Sequence, residues 1–187
     1  MEETNFPARA PRRKTSTRKE DSKYAHQRVG IFIDVQNLYH SAKNLHHGRV
    51  NYQELIKHLV GERQLIRAMA YVVKSDNQTG EEAFFDALEK AGLELRVKDL
   101  QVYQDGFKKA DWDIGMAVDA IRMSSFLDVV ILVTGDGDFL PAIDYLKWGV
   151  GRLVEVAAFR RSASSKMQES ADKFINIEDI PRSIIKK

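Results

Sequence analysis

The sequence of 187 residues has no cysteine, so neither a disulfide framework nor a thiolate metal site is open to it. No apolar run approaches the roughly 18 residues that cross a bilayer as a helix. The N-terminus lacks the apolar core of a secretory signal, so a cytoplasmic location without a membrane partner is expected. The five histidines (His26, His40, His46, His47, His58) form no i, i+4 pair, so a zinc site is not expected. Net charge is low at +2, but it is unevenly spread. Residues 1–27 hold seven Lys/Arg against four acids, whereas the remaining 160 residues carry 22 basic and 23 acidic side chains.

What is present falls into three parts. Residues 1–27 contain Pro7, Pro11, several Ser/Thr and almost no aliphatic side chains. Such a segment buries too little surface to offset its ordering entropy and reads as a disordered basic arm. An arm of this kind can also add sequence-independent phosphate contacts. Residues 28–180 form one domain, and residues 181–187 a short C-terminal tail. With 43% hydrophobic and 30% charged residues, the composition is that of a globular domain with one core.

Within the domain, strands and helices alternate, which predicts an α/β fold with a mostly parallel sheet. Val29 to Val35 and Val129 to Val133 are apolar runs without alternation, as expected of strands buried on both faces. Asn51 with Glu54 predicts a helix start. Leu65 to Val73 predicts a strand, Glu81 to Ala91 a helix, and residues 93–103 a strand or hairpin. Asp111 suits the N-cap of a helix whose Ile114, Ala117, Val118 and Ile121 are expected to pack on the sheet. Leu153 to Phe159 is the last strand, Ser164 to Phe174 a closing helix, and Ile175 to Ile180 a terminal segment.

Acids collect where these strands end. Asp34 lies near the end of the first run, with Asn37 in the following turn. Asp136 and Asp138 lie in Thr134-Gly-Asp-Gly-Asp138, directly after the Val129 run. Asp113 lies in the first turn of a helix. Open α/β sheets place their ligand sites at the carboxyl ends of their strands. Gathered carboxylates repel and call for raised pKa values or a divalent metal, and hard oxygen donors suit Mg²⁺ or Mn²⁺. The plainer readings are a solvated Gly/Asp turn and a helix cap at Asp34. Asp119, about 240° round the helix from Asp113, is either a supporting group or simply exposed. Lys109 either contacts a phosphate or pairs with an acid. Arg160, Arg161 and Lys166, in a loop after a strand end, are candidates for gripping a phosphate backbone.

These residues also carry a resemblance. Phe32-Ile33-Asp34-x-x-Asn37, then Lys109-x-Asp111-Trp112-Asp113-Ile-Gly-Met-Ala-x-Asp119, then Thr134-Gly-Asp136-Gly-Asp138-Phe139-x-Pro141 resemble the NYN domain in order and interval. More narrowly they resemble its LabA-like branch, within the PIN-like nuclease superfamily. The resemblance implies a PIN-like three-layer α/β/α sandwich, a Mg²⁺ or Mn²⁺ pocket and an RNase-type activity on RNA. Asp34, Asp113, Asp136 and Asp138 match the family's acidic positions, and Asn37 its polar companion.

Three functions are therefore weighed. The first is a metal-dependent ribonuclease using those four acids, with Asn37 orienting a ligand and Thr134 bonded to an acid. The second is a non-catalytic module of the same fold that binds metal and RNA, or a protein partner. The third is a phosphohydrolase on small esters, ranked last because Ile33-Asp34-Val35-Gln36 lacks a second aspartate two residues on. A homo-oligomer is left open.

Overall fold

The structure is a computed structural model of the chain that describes residues 24–74, 80–102, 108–109 and 112–186. Most of the basic arm, and Asp111, lie outside the described residues. In chain order the elements begin β1 (Arg28–Asp34), α1 (Val35–His46), β2 (Gly48–Val50), α2 (Tyr52–Val60), β3 (Gln64–Lys74), α3 (Glu81–Lys90), β4 (Glu94–Asp99), β5 (Gln101–Val102) and β6 (Lys108–Lys109). They continue with α4 (Asp113–Met123), β7 (Val129–Val133), α5 (Leu140–Asp144), β8 (Leu153–Ala158), α6 (Ser165–Ser170), β9 (Lys173–Asn176) and β10 (Ile184–Lys186).

Six strands form the central sheet in the order β4-β3-β1-β7-β8-β9, and every neighbouring pair is parallel. Parallel strands need crossovers, which here cover both faces with helices. Val29, Ile31, Ile33, Val129, Ile131 and Val133 meet Leu38 and Ala42 of α1, Leu55 and Leu59 of α2 and Leu88 of α3. On the opposite face Phe32, Val130 and Leu132 meet Met116 and Ala120 of α4, Ile143 of α5 and Met167 of α6. The result is the expected PIN-like α/β/α sandwich. Burying each large side chain contributes about 1.5–3 kcal/mol, so an apolar residue is favoured at every β7 position and alternation disappears.

Local signals hold where they depend on near neighbours. Asn51 accepts the Glu54 N–H at 3.3 Å and starts α2. His47 ends α1 in the left-handed region at φ 49°, a common way to close a helix. Pro141 stands in the first turn of α5.

Three expectations are corrected. In α4 the buried residues are Met116, Asp119 and Ala120; Ala117 and Ile121 pack against the core as expected, while Ile114 is 78% exposed and Val118 is exposed too. The helix carries two apolar stripes, and the one beginning at Trp112 packs inward. The closing helix is shorter than expected, ending at Ser170. Asp172 follows it, donating its backbone N–H to the Val154 carbonyl and accepting the Val154 N–H on its carboxylate, each at 2.8 Å, which lays Lys173–Asn176 beside β8 as a sixth strand. Finally, the segment read as a C-terminal tail contains β10, which pairs antiparallel with β2.

Strand order then positions the site. From β1 the chain moves outward to β3 and β4. It returns to β7 on the other flank of β1 and proceeds to β8 and β9. The connections after β1 and β7 diverge, leaving a crevice at the carboxyl ends of these two strands.

Candidate active site

Asp34 ends β1 and is at once the N-cap of α1, its Oδ1 accepting the Asn37 N–H at 3.0 Å. Asn37 reaches across the crevice, where its Oδ1 accepts the Gly135 N–H at 3.0 Å. Thr134, fully buried at the end of β7, works in both directions. Its hydroxyl donates to Asp34 Oδ2 at 3.3 Å and accepts the Asp136 N–H at 3.2 Å. Asp136 in turn caps the following 3₁₀ turn, accepting the Asp138 N–H at 3.0 Å. A chain of bonds thus runs from β1 through Thr134 into the Gly-Asp-Gly-Asp turn. Among the plainer readings, the helix cap at Asp34 is present as well.

Gly135 lets the neighbouring loop approach. A Cβ there would come 2.9 Å from the Ser162 carbonyl oxygen and 3.1 Å from the Ala163 Cα. The Ser164 N–H donates to the Gly135 carbonyl at 3.1 Å. The loop that bears Arg160 and Arg161 is therefore seated on the acidic turn.

Asp113, Asp136 and Asp138 each offer a carboxylate oxygen, and the three atoms lie within 4.8 Å of one another. Asp113 stands in the first turn of α4, where free N–H groups and the helix dipole favour an anion. Asp34 is outside this trio, although it feels the charge of Asp136. Burial pushes the Asp34 carboxyl above its usual range, the Asp136 charge adds to this, and bonds from the Asn37 N–H, the Thr134 hydroxyl and the Gln36 N–H pull it back.

The remaining candidates are dispersed. Asp119 is buried, accepts the Tyr71 hydroxyl at 3.1 Å and faces Arg96 at 3.5 Å. It belongs to the sheet–α4 interface and is not exposed. Lys109 lies in β6, while Asp111 is among the residues not described. Arg160 and Arg161 are exposed, and the Arg160 guanidinium lies 5.3 Å from the Phe174 ring centroid. Lys166 borders an open cleft of about 390 Å³ shared with Leu140, Pro141, Asp144, Glu169 and Ser170. Sequence reasoning did not pick out Trp112 beyond its place in the motif, although its indole N–H donates to the Val72 carbonyl at 2.8 Å. A tryptophan directly before a helix-opening acid was the available signal.

A parallel sheet with acids gathered at the carboxyl ends of its central strands defines an α/β protein with a candidate acidic ligand site. The sequence profile of the NYN domain matches residues 28–178, and the chain belongs to that family, a family of PIN-like nucleases. It is similar to the low amplitude and bright protein LabA of Synechococcus elongatus, with 28% identity over 168 residues that cover 86% of this chain and 88% of the relative. Its fold is similar to the crystal structure of a protein of unknown function from Vibrio parahaemolyticus. The TM-score is 0.79 at 28% identity, covering 86% of this chain and 98% of the other.

Proposed function

We propose that the chain is a metal-dependent ribonuclease in which Asp113, Asp136 and Asp138, with Asp34 as the fourth acid, hold Mg²⁺ or Mn²⁺. One observation carries the reading: three carboxylate oxygens from α4 and the turn after β7 lie within 4.8 Å of one another. Three anions this close repel one another unless a cation or protons intervene. The donor set is oxygen alone, without His or Cys, and so fits a hard divalent ion. Such an ion supplies Lewis acidity toward a phosphodiester and lowers the pKa of water.

The chain's own residues do the positioning. Thr134 keeps Asp34 and the Asp136 backbone in register, and Asn37 holds the Gly135 turn against α1. Asp34 retains acceptor capacity beyond the bonds it already makes. Arg160 and Arg161, on the loop seated against Gly135, together with Lys166, would carry the phosphates flanking the scissile bond. RNA as the substrate is supported by the family.

The test is cleavage of end-labelled single-stranded RNA in Mn²⁺ by the parent, Asp136→Asn and Asp34→Asn, with circular dichroism to check folding. Each variant should lose about a hundredfold or more in rate, at or beyond the upper end of losses seen when groups supporting a metal are removed. Parent-like cleavage by both variants would sink the metal-site assignment. RNA binding that persists in EDTA, with no cleavage in Mn²⁺, would make the chain a binding module. Turnover of p-nitrophenyl phosphate without RNA cleavage would make it a phosphohydrolase.

A further inference from the structure

Among the described residues the N-cap of α4 is Trp112, one residue later than the Asp111 expected from the sequence. It makes no side-chain capping bond to the helix. Its backbone carbonyl takes the first helical bond, from the Met116 N–H at 2.7 Å. Its indole Nε1–H donates elsewhere, to the Val72 carbonyl at 2.8 Å. Val72 lies one residue beyond the last β1–β3 pair, Asp34 with Tyr71. The indole therefore meets β3 just where β1 has ended, beside the crevice.

The ring is confined from several sides. Tyr71 meets it edge-on with centroids 5.4 Å apart, and the Lys98 ammonium sits 5.5 Å from the ring centroid. Gly115 lies against it so closely that a Cβ would stand 2.6 Å from Trp112 Cε3. Tyr71 is itself anchored, donating to Asp119 at 3.1 Å, and Asp119 faces Arg96 at 3.5 Å and Arg122 at 3.6 Å. A buried carboxylate with two guanidiniums thus fixes a tyrosine, and the tyrosine helps to fix the tryptophan.

This arrangement does something an ordinary cap cannot. A Ser, Thr, Asp or Asn cap satisfies N–H groups of its own helix and leaves the helix free to shift against the sheet. The indole bond ties the helix start to a named sheet carbonyl. The next residue along is Asp113, whose carboxylate belongs to a different element from Asp136 and Asp138. Its distance from those two depends on where α4 begins.

We infer that Trp112 is a positioning residue: its indole fixes the first turn of α4 against the end of β3, so that Asp113 is preset to share a divalent cation with Asp136 and Asp138. This rests on the metal-site reading above. Groups that hold metal ligands in place are commonly worth about 10–100-fold in metal affinity.

The experiment is Mn²⁺ titration calorimetry on the full chain, for the parent, Trp112→Phe and Gly115→Ala, alongside melting temperatures. Trp112→Phe keeps most of the packing and removes the N–H. Gly115→Ala keeps the N–H and displaces the ring, and it serves as the independent variant should the first not fold. Each is expected to bind Mn²⁺ at least about tenfold more weakly. Loss of one neutral hydrogen bond should lower the melting temperature of Trp112→Phe by only a few degrees. For RNA cleavage, kcat should fall at fixed Mn²⁺ with KM unchanged, and excess Mn²⁺ should restore it. A purely structural tryptophan would lower the melting temperature and leave the Mn²⁺ affinity of the folded protein unmoved. That result, with a parent that binds Mn²⁺, overturns this inference alone. A parent that takes up no Mn²⁺ overturns the site reading, and this one with it.

Discussion

Glu155 is a carboxylate in β8 at a position otherwise reserved for apolar side chains, and replacing it by glutamine is a sharp test of how the sandwich is held together. The Glu155 carboxylate meets the Arg63 guanidinium at 2.8 and 3.0 Å in a two-pronged pair. The side chains are 12% and 11% exposed for Arg63 and Glu155. Arg63 also donates to the Leu59 carbonyl, and its Nε donates to the Val60 carbonyl at 3.2 Å. These belong to the last turn of α2, whose carbonyls lack helical partners. Glu155→Gln keeps the shape but leaves a guanidinium largely out of water with no counter-charge. Removing one partner of such a pair costs about 3–5 kcal/mol. At about 2–4 °C per kcal/mol for a chain of this size, the melting temperature should fall by roughly 10 °C.

The double variant Arg63→Met/Glu155→Met separates charge from packing. It strands no charge and loses chiefly the bonds to the two α2 carbonyls, each worth about 1 kcal/mol net. It should therefore be more stable than Glu155→Gln. A full urea-unfolding cycle would add Arg63→Met and Glu155→Met as single variants. The reasoning fails if the two single effects add to the double effect within about 0.5 kcal/mol, because the pair would then be uncoupled. Added salt should change little, since the pair is shielded from solvent.

Two other contacts in the fold are open to the same kind of test. Gly135→Ala forces a methyl onto the backbone at Ser162 and Ala163. It should cost about 1–3 kcal/mol by overpacking, read in urea unfolding, and should weaken RNA binding by lifting the Arg160–Arg161 loop. Asp128 is held down to about 2 by the side-chain bond from Arg28, helped by the Arg28 N–H. A depressed carboxyl stabilises the fold fully above its unfolded value of about 3.9, and this is lost as pH falls toward about 2. Asp128→Asn should flatten that part of the acid unfolding curve. The effect should be small because both partners are partly exposed, and an unchanged acid limb would refute it.

What could be read in the sequence depended on how far apart the determining residues lie. β1 and β7 announce themselves because helices on both faces leave no place for polar alternation. The acids of the crevice are legible too, since Asp34 ends one apolar run and Asp136 and Asp138 lie in the turn that follows another. The α4 face was misread in part: Ala117 and Ile121 pack inward, but Ile114 and Val118 form an apolar stripe as convincing as that of Trp112, Met116 and Ala120. The choice between them is made by the Val72 carbonyl and by Tyr71 with Arg96, which are distant in sequence. Likewise β9 exists because Asp172 meets Val154, and the charge in β8 is tolerable because Arg63 arrives from 92 residues away. Periodicity sees a residue's neighbours along the chain. Buried polar groups are decided by neighbours across it.

That distinction also bears on the two readings of the acidic turn, as local caps or as a ligand site. They are not rivals. Asp34 caps α1 and Asp136 caps a 3₁₀ turn, and each cap occupies a carboxylate oxygen in one defined direction. Capping fixes the carboxyl plane without adding an opposite charge, because a backbone N–H brings a dipole and no net charge. A strand that ends in the crevice of a parallel sheet must hand over to a helix there, so caps and crevice coincide by topology. The same bonds that start α1 and the turn after β7 therefore hold Asp34 and Asp136 beside the carboxyl ends of β1 and β7. Asp113, by contrast, stands in the first turn of α4, and the role proposed for the Trp112 indole is to fix that turn against β3.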